Sequence, residues 1–442
     1  MKKAKVYLLS LGCAKNLVNS EQMLHKLKEA GYEITQEPEK ADAAIVNTCG
    51  FIDSAKSEAI DAILNLAKLK ESGPLRALIV CGCLSQRYGT EFEKELPEVD
   101  AVLGTGSYSD ICSAVSDALS GKHVLDLKKP EDQELEGERE LLTPKYSAYL
   151  RIAEGCDNRC SYCAIPYIRG PYRSRKLEDV VAEAEELVKK GARELLVIAQ
   201  DITRYGTDLY GRRALPELLR RLCGIEKLEW IRLHYLYPDE TDRELIELCA
   251  SEPKILHYFD IPIQHISDGV LSHMNRRGGS AAIKKTVKLI RELMPDAVIR
   301  TSLIVGFPGE TEEDFSLLCS FLEKNRLERA GIFCYSQEEG TPAASFPDQV
   351  PEETSERRRE ILYGIQERIM DEKSREQVGK TLRVLCCGKA DGGYYGRSYM
   401  DSPEVDGTVF FKGKNVREGS FYNVKVTSHD ACDLYGTAEE EK

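Results

Sequence analysis

Short apolar runs alternate with amphipathic stretches in two successive blocks of this chain, and that alternation constrains its fold more than any other feature. In the first block the runs are "KVYLLSLG", "AAIVNT", "ALIVCG", "AVLGT" and "HVLDL", separated by helical patterns such as "SEQMLHKLKEAG" and "DSAKSEAIDAILNLAKLKES". Runs of this length suit strands buried on both faces, so the pattern predicts a doubly wound parallel α/β domain over residues 1–127. In the second block, residues 142–374, the strand candidates are "AYLRIAE", "ELLVIAQ", "WIRLHYL", "YFDIPIQ", "VIRTSLIVGF" and "AGIFCYS". Helical patterns such as "LEDVVAEAEELVKKG" separate them, and a long charged helix, "PEETSERRREILYGIQERIMDEKSREQVG", leads out. Six β/α units predict an incomplete barrel rather than a closed eightfold one.

Between the blocks, residues 128–141 read as an exposed acidic linker: "KKPEDQELEGERE" carries six acids and no aromatic or β-branched residue. Residues 375–442 change character. "TLRVLCCG", "YYGRSYM", "GTVFFKG", "SFYNVKVTS" and "DLYGTA" are short strands between turn residues, which predicts a small antiparallel, OB-like β-barrel.

No segment approaches the roughly 18 apolar residues of a membrane span. The start, "MKKAKVYLLSLGCA", has too short an apolar core for a secretory signal, and Lys15 follows at once. The expected location is therefore cytoplasmic, away from any membrane. In a reducing compartment the 15 cysteines are expected as metal ligands, redox groups or buried apolar residues rather than disulfides. The net charge of −13 argues against a dedicated RNA binder and suits an encounter with a basic partner.

The cysteines then sort by position. "GCDNRCSYC" holds Cys156, Cys160 and Cys163 in CxxxCxxC spacing just after the first strand of the second block. This is the end of the strands where barrel active sites collect. Asp157, Asn158 and Arg159 make the loop too polar for core cysteines. A redox pair would leave Cys156 unexplained, and a structural zinc site lacks a fourth ligand nearby. Three thiolates suit a [4Fe–4S] cluster with one iron left open. The arrangement resembles the radical S-adenosylmethionine (SAM) superfamily. That resemblance implies that SAM chelates the open iron and is cleaved to a 5′-deoxyadenosyl radical. By position on the same face, Tyr162 is expected to pack on the adenine and Gln200 to lie near SAM. Ile304 and Gly306, in "IVGFPGET", resemble the family's SAM-contact segment. Asp201, Gln264 and His265 also end strands there, with structural and functional roles equally open.

In the first block Cys13, Cys49 and Cys83 each follow the carboxyl end of a strand. In an open parallel sheet those ends form one edge, so three cysteines distant in sequence should converge there. Gly12-Cys13 and Gly82-Cys83 share a step that lets backbone approach a bulky inorganic group. These three are expected to ligate a second [4Fe–4S] cluster. Cys81 competes with Cys83, because strand alternation gives residues two apart the same facing. The other cysteines fall in apolar helical or strand patterns and are expected in cores.

The three modules together resemble the methylthiotransferases, over essentially the whole chain, and the last resembles the TRAM domain. The resemblance implies two [4Fe–4S] clusters, SAM as both methyl and radical source, a sulfur source, an electron donor and a product carrying –SCH3 in place of hydrogen. Of the family's two branches, "SLGCAKNLVNSE", "AQDITRYG" and "GRSYMDSPEVDG" look like the one that modifies the β-carbon of an aspartate in small-subunit ribosomal protein S-twelve. The branch acting on adenosine in transfer RNA typically carries Gln-Met-Asn where Ala14-Lys15-Asn16 stand here. Residues 375–442 hold ten Lys/Arg against eleven Asp/Glu, a charge that suits a basic ribosomal protein better than sequence-specific nucleic acid. The transfer-RNA activity, and a non-catalytic iron–sulfur or zinc scaffold that holds nucleic acid, stand as the alternatives.

Overall fold

Val6, Ile45, Ile79 and Val102 are almost wholly buried, each in a different strand of one sheet. Burial of such a side chain contributes about 1.5–3 kcal/mol, and strands covered on both faces gather many of them. The structure, a computed structural model, describes residues 4–439. Its first sheet comprises β1 (Lys5–Ser10), β2 (Glu33–Thr35), β3 (Ala43–Thr48), β4 (Ala77–Gly82), β5 (Ala101–Leu103) and β6 (Val124–Asp126). All pair in parallel, in the order β2-β1-β3-β4-β5-β6. Helices α1 (Ala14–Glu29), α2 (Asp53–Ser72), α3 (Cys83–Glu95) and α4 (Ile111–Leu119) are among the connections, as a doubly wound domain requires. The short β2 is not among the expected strands. It has a single apolar residue, Ile34, and forms because Lys5, Val6 and Tyr7 offer an unpaired edge. The chain order reverses between β1 and β3, which places β1, β3 and β4 side by side.

The central sheet comprises β7 (Ser147–Arg151), β10 (Glu194–Ile198), β11 (Trp230–Leu233), β12 (Ile255–Asp260), β13 (Val298–Val305) and β14 (Arg329–Cys334), all parallel and open as expected. A short pair, β8 (Ala153–Glu154) with β9 (Arg173–Ser174), closes the loop that begins after β7. The strand expected from "YFDIPIQ" starts earlier, at Ile255; its regular ladder ends at Asp260, just before Pro262, which lacks the N–H a ladder needs, and Gln264 then rejoins β13 as a single bridge. A long helix, Glu352–Arg375, packs against β14.

The terminal strands β15 (Thr381–Ala390), β16 (Gly393–Arg397), β17 (Val409–Lys412), β18 (Phe421–Asp430) and β19 (Asp433–Ala438) close into a barrel. It is not wholly antiparallel. β19 returns from β18 as a hairpin and runs parallel beside β17. This barrel shares one apolar cluster with the central domain: Tyr146, Trp230, Tyr258 and Val298 pack with Leu382, Val384 and Val409. Its segment 398–406 reaches buried charges of the central sheet. Arg232 donates to the carbonyl of Tyr399 at 2.8 Å, Tyr258 donates to Asp406 at 2.6 Å, and Arg329 lies 3.3 Å from Asp401. Glu194, at the start of β10, is held between Arg232 at 3.0 Å and Arg397 at 2.5 Å.

The acidic stretch is more engaged than expected. Most of it is exposed, but Gln133 and Arg139 are buried, because the residues around them have counterparts on both flanking domains. Arg139 pairs with Glu21 of α1 at 3.2 Å and with Glu183 of the central domain at 2.7 Å. Arg173 donates to the carbonyls of Pro130, Glu131 and Gln133. The stretch is a strap between the domains. Among the described residues, no helix is long and apolar enough to cross a membrane.

Candidate functional site

The edge formed by β1, β3 and β4 is knitted by two asparagines. Asn16 donates to the carbonyls of Leu11, Asn47 and Thr48, and Asn47 donates to the carbonyl of Asn16 and the hydroxyl of Ser20. Above this lattice stand Cys13, which precedes α1, Cys49 after β3, and Cys83, the first residue of α3. Gly12 and Gly82 adopt φ of +85° and +102°. A Cβ on Gly12 would come within 2.6 Å of the Cys49 Cβ, and one on Gly82 within 2.7 Å of the Thr48 carbonyl. Both Gly-Cys steps therefore exclude any side chain before the thiol.

The turn at Gly82 also separates the two competing cysteines. Cys81 does not share the facing of Cys83, because the strand ends between them. Cys81 lies in the core with its sulfur 3.9 Å from that of Met23. Cys83 instead packs against Ala164 and Ile168 of the central domain.

The three thiols feel one another. Burial and the neighbouring Cys83 and Cys13 push the Cys49 thiol up to about 12. Cys13 is exposed at the surface, and there crowding by protein atoms acts in the same direction, but Lys15, Arg169 and the backbone N–H groups of Asn16 and Lys15 outweigh it and bring the thiol below its ordinary range. Arg169 ends α5 (Ile165–Arg169), in the central domain. Its guanidinium donates to Cys83 Sγ at 3.2 Å and to Asn16 at 3.0 Å, and lies 3.3 Å from Glu154.

The central triplet sits in the loop after β8. The Cys156 N–H donates to the Gly170 carbonyl, and Asn275 donates to the Arg159 carbonyl at 2.9 Å, which pins the loop at its start and its middle. Cys160 Sγ lies 3.0 Å from the Tyr237 hydroxyl and 4.0 Å from Arg276, whose guanidinium stacks on the Tyr237 ring. Burial and the neighbouring Cys160 raise Cys163, and burial pushes Cys156 up to about 12. Both triplets thus consist of thiols alone, within one another's field and each next to a buried arginine. Among the described residues, no group of three or more His, Cys, Asp and Glu side chains is placed to hold a metal ion, so the fit rests on the chemistry of the thiols alone. This donor set fits an iron–sulfur cluster, whose irons each take one thiolate.

Beside the central triplet, Tyr162 and Ile304 both pack against the cluster of Val270, Met274, Phe307 and Ala343, the Tyr162 ring edge-on to Phe307 at 6.5 Å. Gln200 donates to Glu154, and its Oε1 is buried without a hydrogen-bond partner. The Gly306 N–H is taken by Glu310, which also accepts from Phe307, and Ser355 fills the space beside Gly306. Asp201 accepts from Asn158 at 2.9 Å and from Thr203. His265 is fully buried, its Nδ1 accepting from the Ser267 N–H and its Nε2 3.6 Å from Glu310 and without a hydrogen bond. Gln264 bonds through its backbone to Ser302 and Ile304.

Sequence reasoning missed Arg169, Glu154, Tyr237 and Arg276, which surround the thiols. Arg169 stands six residues after Cys163, but no spacing rule says that it reaches the other domain. The two sheets present their carboxyl edges to each other, and Lys56 and Arg87 close the side of the interface by gripping Glu338 at 3.0 and 2.9 Å.

Three family models match the chain: the uncharacterized protein family UPF0004 over residues 5–104, the radical SAM superfamily over 150–322 and the TRAM domain over 378–438. The chain is 48% identical to the ribosomal protein uS12 methylthiotransferase RimO of Acetivibrio thermocellus, over 99% of each chain. It is 50% identical to the protein of the same name from Pelotomaculum thermopropionicum, over 98% of each. Among solved structures, the radical SAM methyltransferase TsrM from Kitasatospora setae, with cobalamin and a [4Fe–4S] cluster bound, is similar in fold. Its TM-score is 0.59 at 15% identity, over 77% of each chain.

Proposed function

The chain belongs to the ribosomal protein uS12 methylthiotransferase family of radical SAM enzymes, and we propose on that footing that it replaces a hydrogen on the β-carbon of an aspartate in uS12 with a methylthio group. Cys156, Cys160 and Cys163 hold the [4Fe–4S] cluster that binds SAM, and Cys13, Cys49 and Cys83 hold a second. Bound there, the clusters and SAM supply the radical that removes the hydrogen and the sulfur and methyl that replace it. An outside electron donor and sulfur source serve the enzyme, which works in the cytoplasm.

The chain's own residues bind, orient and exclude water. The orphaned Gln200 Oε1 offers an acceptor to the SAM ammonium, while Tyr162 and Ile304 offer an apolar wall to its adenine. Gly306 shapes the turn beside that wall. Arg276 and Tyr237 fix the Cys160 side of the loop, and the grip of Lys56 and Arg87 on Glu338 shields the interface from solvent. One observation carries the reading. The two thiol triplets belong to different domains, yet Cys83 packs directly on Ala164, the residue after Cys163. Two sites so close can act on one carbon.

Anaerobically reconstituted enzyme, given SAM, a reductant, sulfide and ribosomes, should add one methylthio group to a uS12 aspartate, read by peptide mass spectrometry. Modification confined to transfer RNA would overturn the substrate assignment.

A further inference from the structure

We propose that Lys15 is the group that recognises the side-chain carboxylate of the substrate aspartate. The inference rests on the reading that the substrate is an aspartate, and it adds which residue selects it. Lys15 stands in the first turn of α1, two residues after Cys13, and is 8% exposed. Its ammonium lies 3.5 Å from the centre of the Tyr235 ring. A ring face attracts a cation, and with one hydrogen bond to the Tyr235 side chain the ammonium still has N–H donors to give. The acidic groups whose fields reach Lys15 are the Tyr235 hydroxyl, the Cys13 thiol, which the cluster would take as a ligand, and Glu154, which is already bound by Arg151 and Arg169 at 3.1 and 3.3 Å. Among the described residues, no carboxylate forms an ion pair with Lys15. A charge this deeply placed is ordinarily paired with an anion.

Its position says which anion. Tyr235 and Tyr237 leave β11 on one short segment. Tyr235 carries Lys15, beside Cys13, and the Tyr237 hydroxyl lies 3.0 Å from Cys160. Lys15 thus stands between the two triplets, where a carbon served by both must be presented. Tyr235 is fixed there with φ of +63°, its N–H donating to Asp260 at 3.3 Å. The γ-carboxylate of an aspartate is bonded directly to the β-carbon that reacts. A β-carbon held between the triplets therefore brings its carboxylate to this place, and the Lys15 ammonium binds it with charge-assisted hydrogen bonds. An adenine ring would bring no such anion.

The test measures binding of uS12, and of uS12 with asparagine at the modified position, to the reconstituted holoenzyme with SAM, together with KM and kcat for the aspartate form. Wild-type enzyme should bind the aspartate form about tenfold tighter or more. Lys15→Met should bind both forms alike, at the weaker level, with KM raised in the same proportion. Lys15→Arg, which keeps the charge, should restore part of the preference. Iron and sulfide content reports the loading of each variant. Equal binding of the two forms by wild-type enzyme overturns the assignment without recourse to any variant, and so does an undiminished preference in Lys15→Met. Wild-type enzyme that leaves uS12 unmodified overturns instead the substrate reading on which the proposal rests.

Discussion

The two thiol triplets are built in opposite ways. The central one lies within eight consecutive residues, and one loop pinned by Asn275 and Gly170 suffices to shape it. The N-terminal one is gathered from three strand ends, and its surroundings are completed by Arg169 and Ala164 from the next domain. A local site survives as long as its loop does, whereas a gathered site depends on the sheet, on two Gly-Cys turns and on the domain interface. The N-terminal triplet should therefore be the more fragile of the two.

The largest effect that can break this comparison comes from the thiols themselves. Alanine at Cys156, Cys160 or Cys163 should abolish SAM cleavage and remove about half the iron. Alanine at Cys13, Cys49 or Cys83 should also remove about half, while SAM cleavage continues and no methylthio product forms. Iron analysis beside a deoxyadenosine assay separates the two sets, and a full iron complement in Cys13→Ala would remove that residue from the ligand set. Next comes Arg169→Ala, which strips Cys83 of its cation and leaves Glu154 with one arginine fewer. Breaking a buried pair costs about 3–5 kcal/mol. The N-terminal iron should be the first lost to a chelator, followed by absorbance and electron paramagnetic resonance. Gly82→Ala should act in the same direction but more weakly. It forces a side chain into a left-handed turn and against the Thr48 carbonyl, at about 1–3 kcal/mol, read by denaturant unfolding and iron content. The smallest effect belongs to Cys81→Ala: roughly 1 kcal/mol of stability and no iron. Iron loss there would mean that Cys81, not Cys83, faces the site.

Much of this arrangement was legible because period and position carry it. Parallel strands announce themselves as apolar runs, and a cysteine after each of three runs points to one edge. The structure does bring those residues to neighbouring strands. What stayed hidden depends on contacts between distant segments. Ile34 alone could not announce β2, which forms only because β1 has a free edge. The acids Glu134, Glu136 and Glu140 looked solvated because their partners Lys26, Arg175 and Lys28 lie elsewhere in the chain. Cys81 and Cys83 looked alike because alternation holds only while the strand lasts, and Gly82 ends it. Arg169 could not be assigned to Cys83 because nothing local says that α5 faces another domain.

The segment 398–406 limits how this molecule can be cut and recombined. Asp401 and Asp406 lie against Arg329 and Arg300 of the central sheet, and Arg397 against Glu194. A chain ending at the long helix would leave those charges buried and unmatched beneath an exposed Tyr258, Trp230 and Val298. A terminal barrel exchanged from a distant relative would have to bring the same acids in the same register. The central domain and the terminal barrel therefore hold as one folding unit, and a protease that nicks the chain between residues 376 and 380 should release no independent fragment.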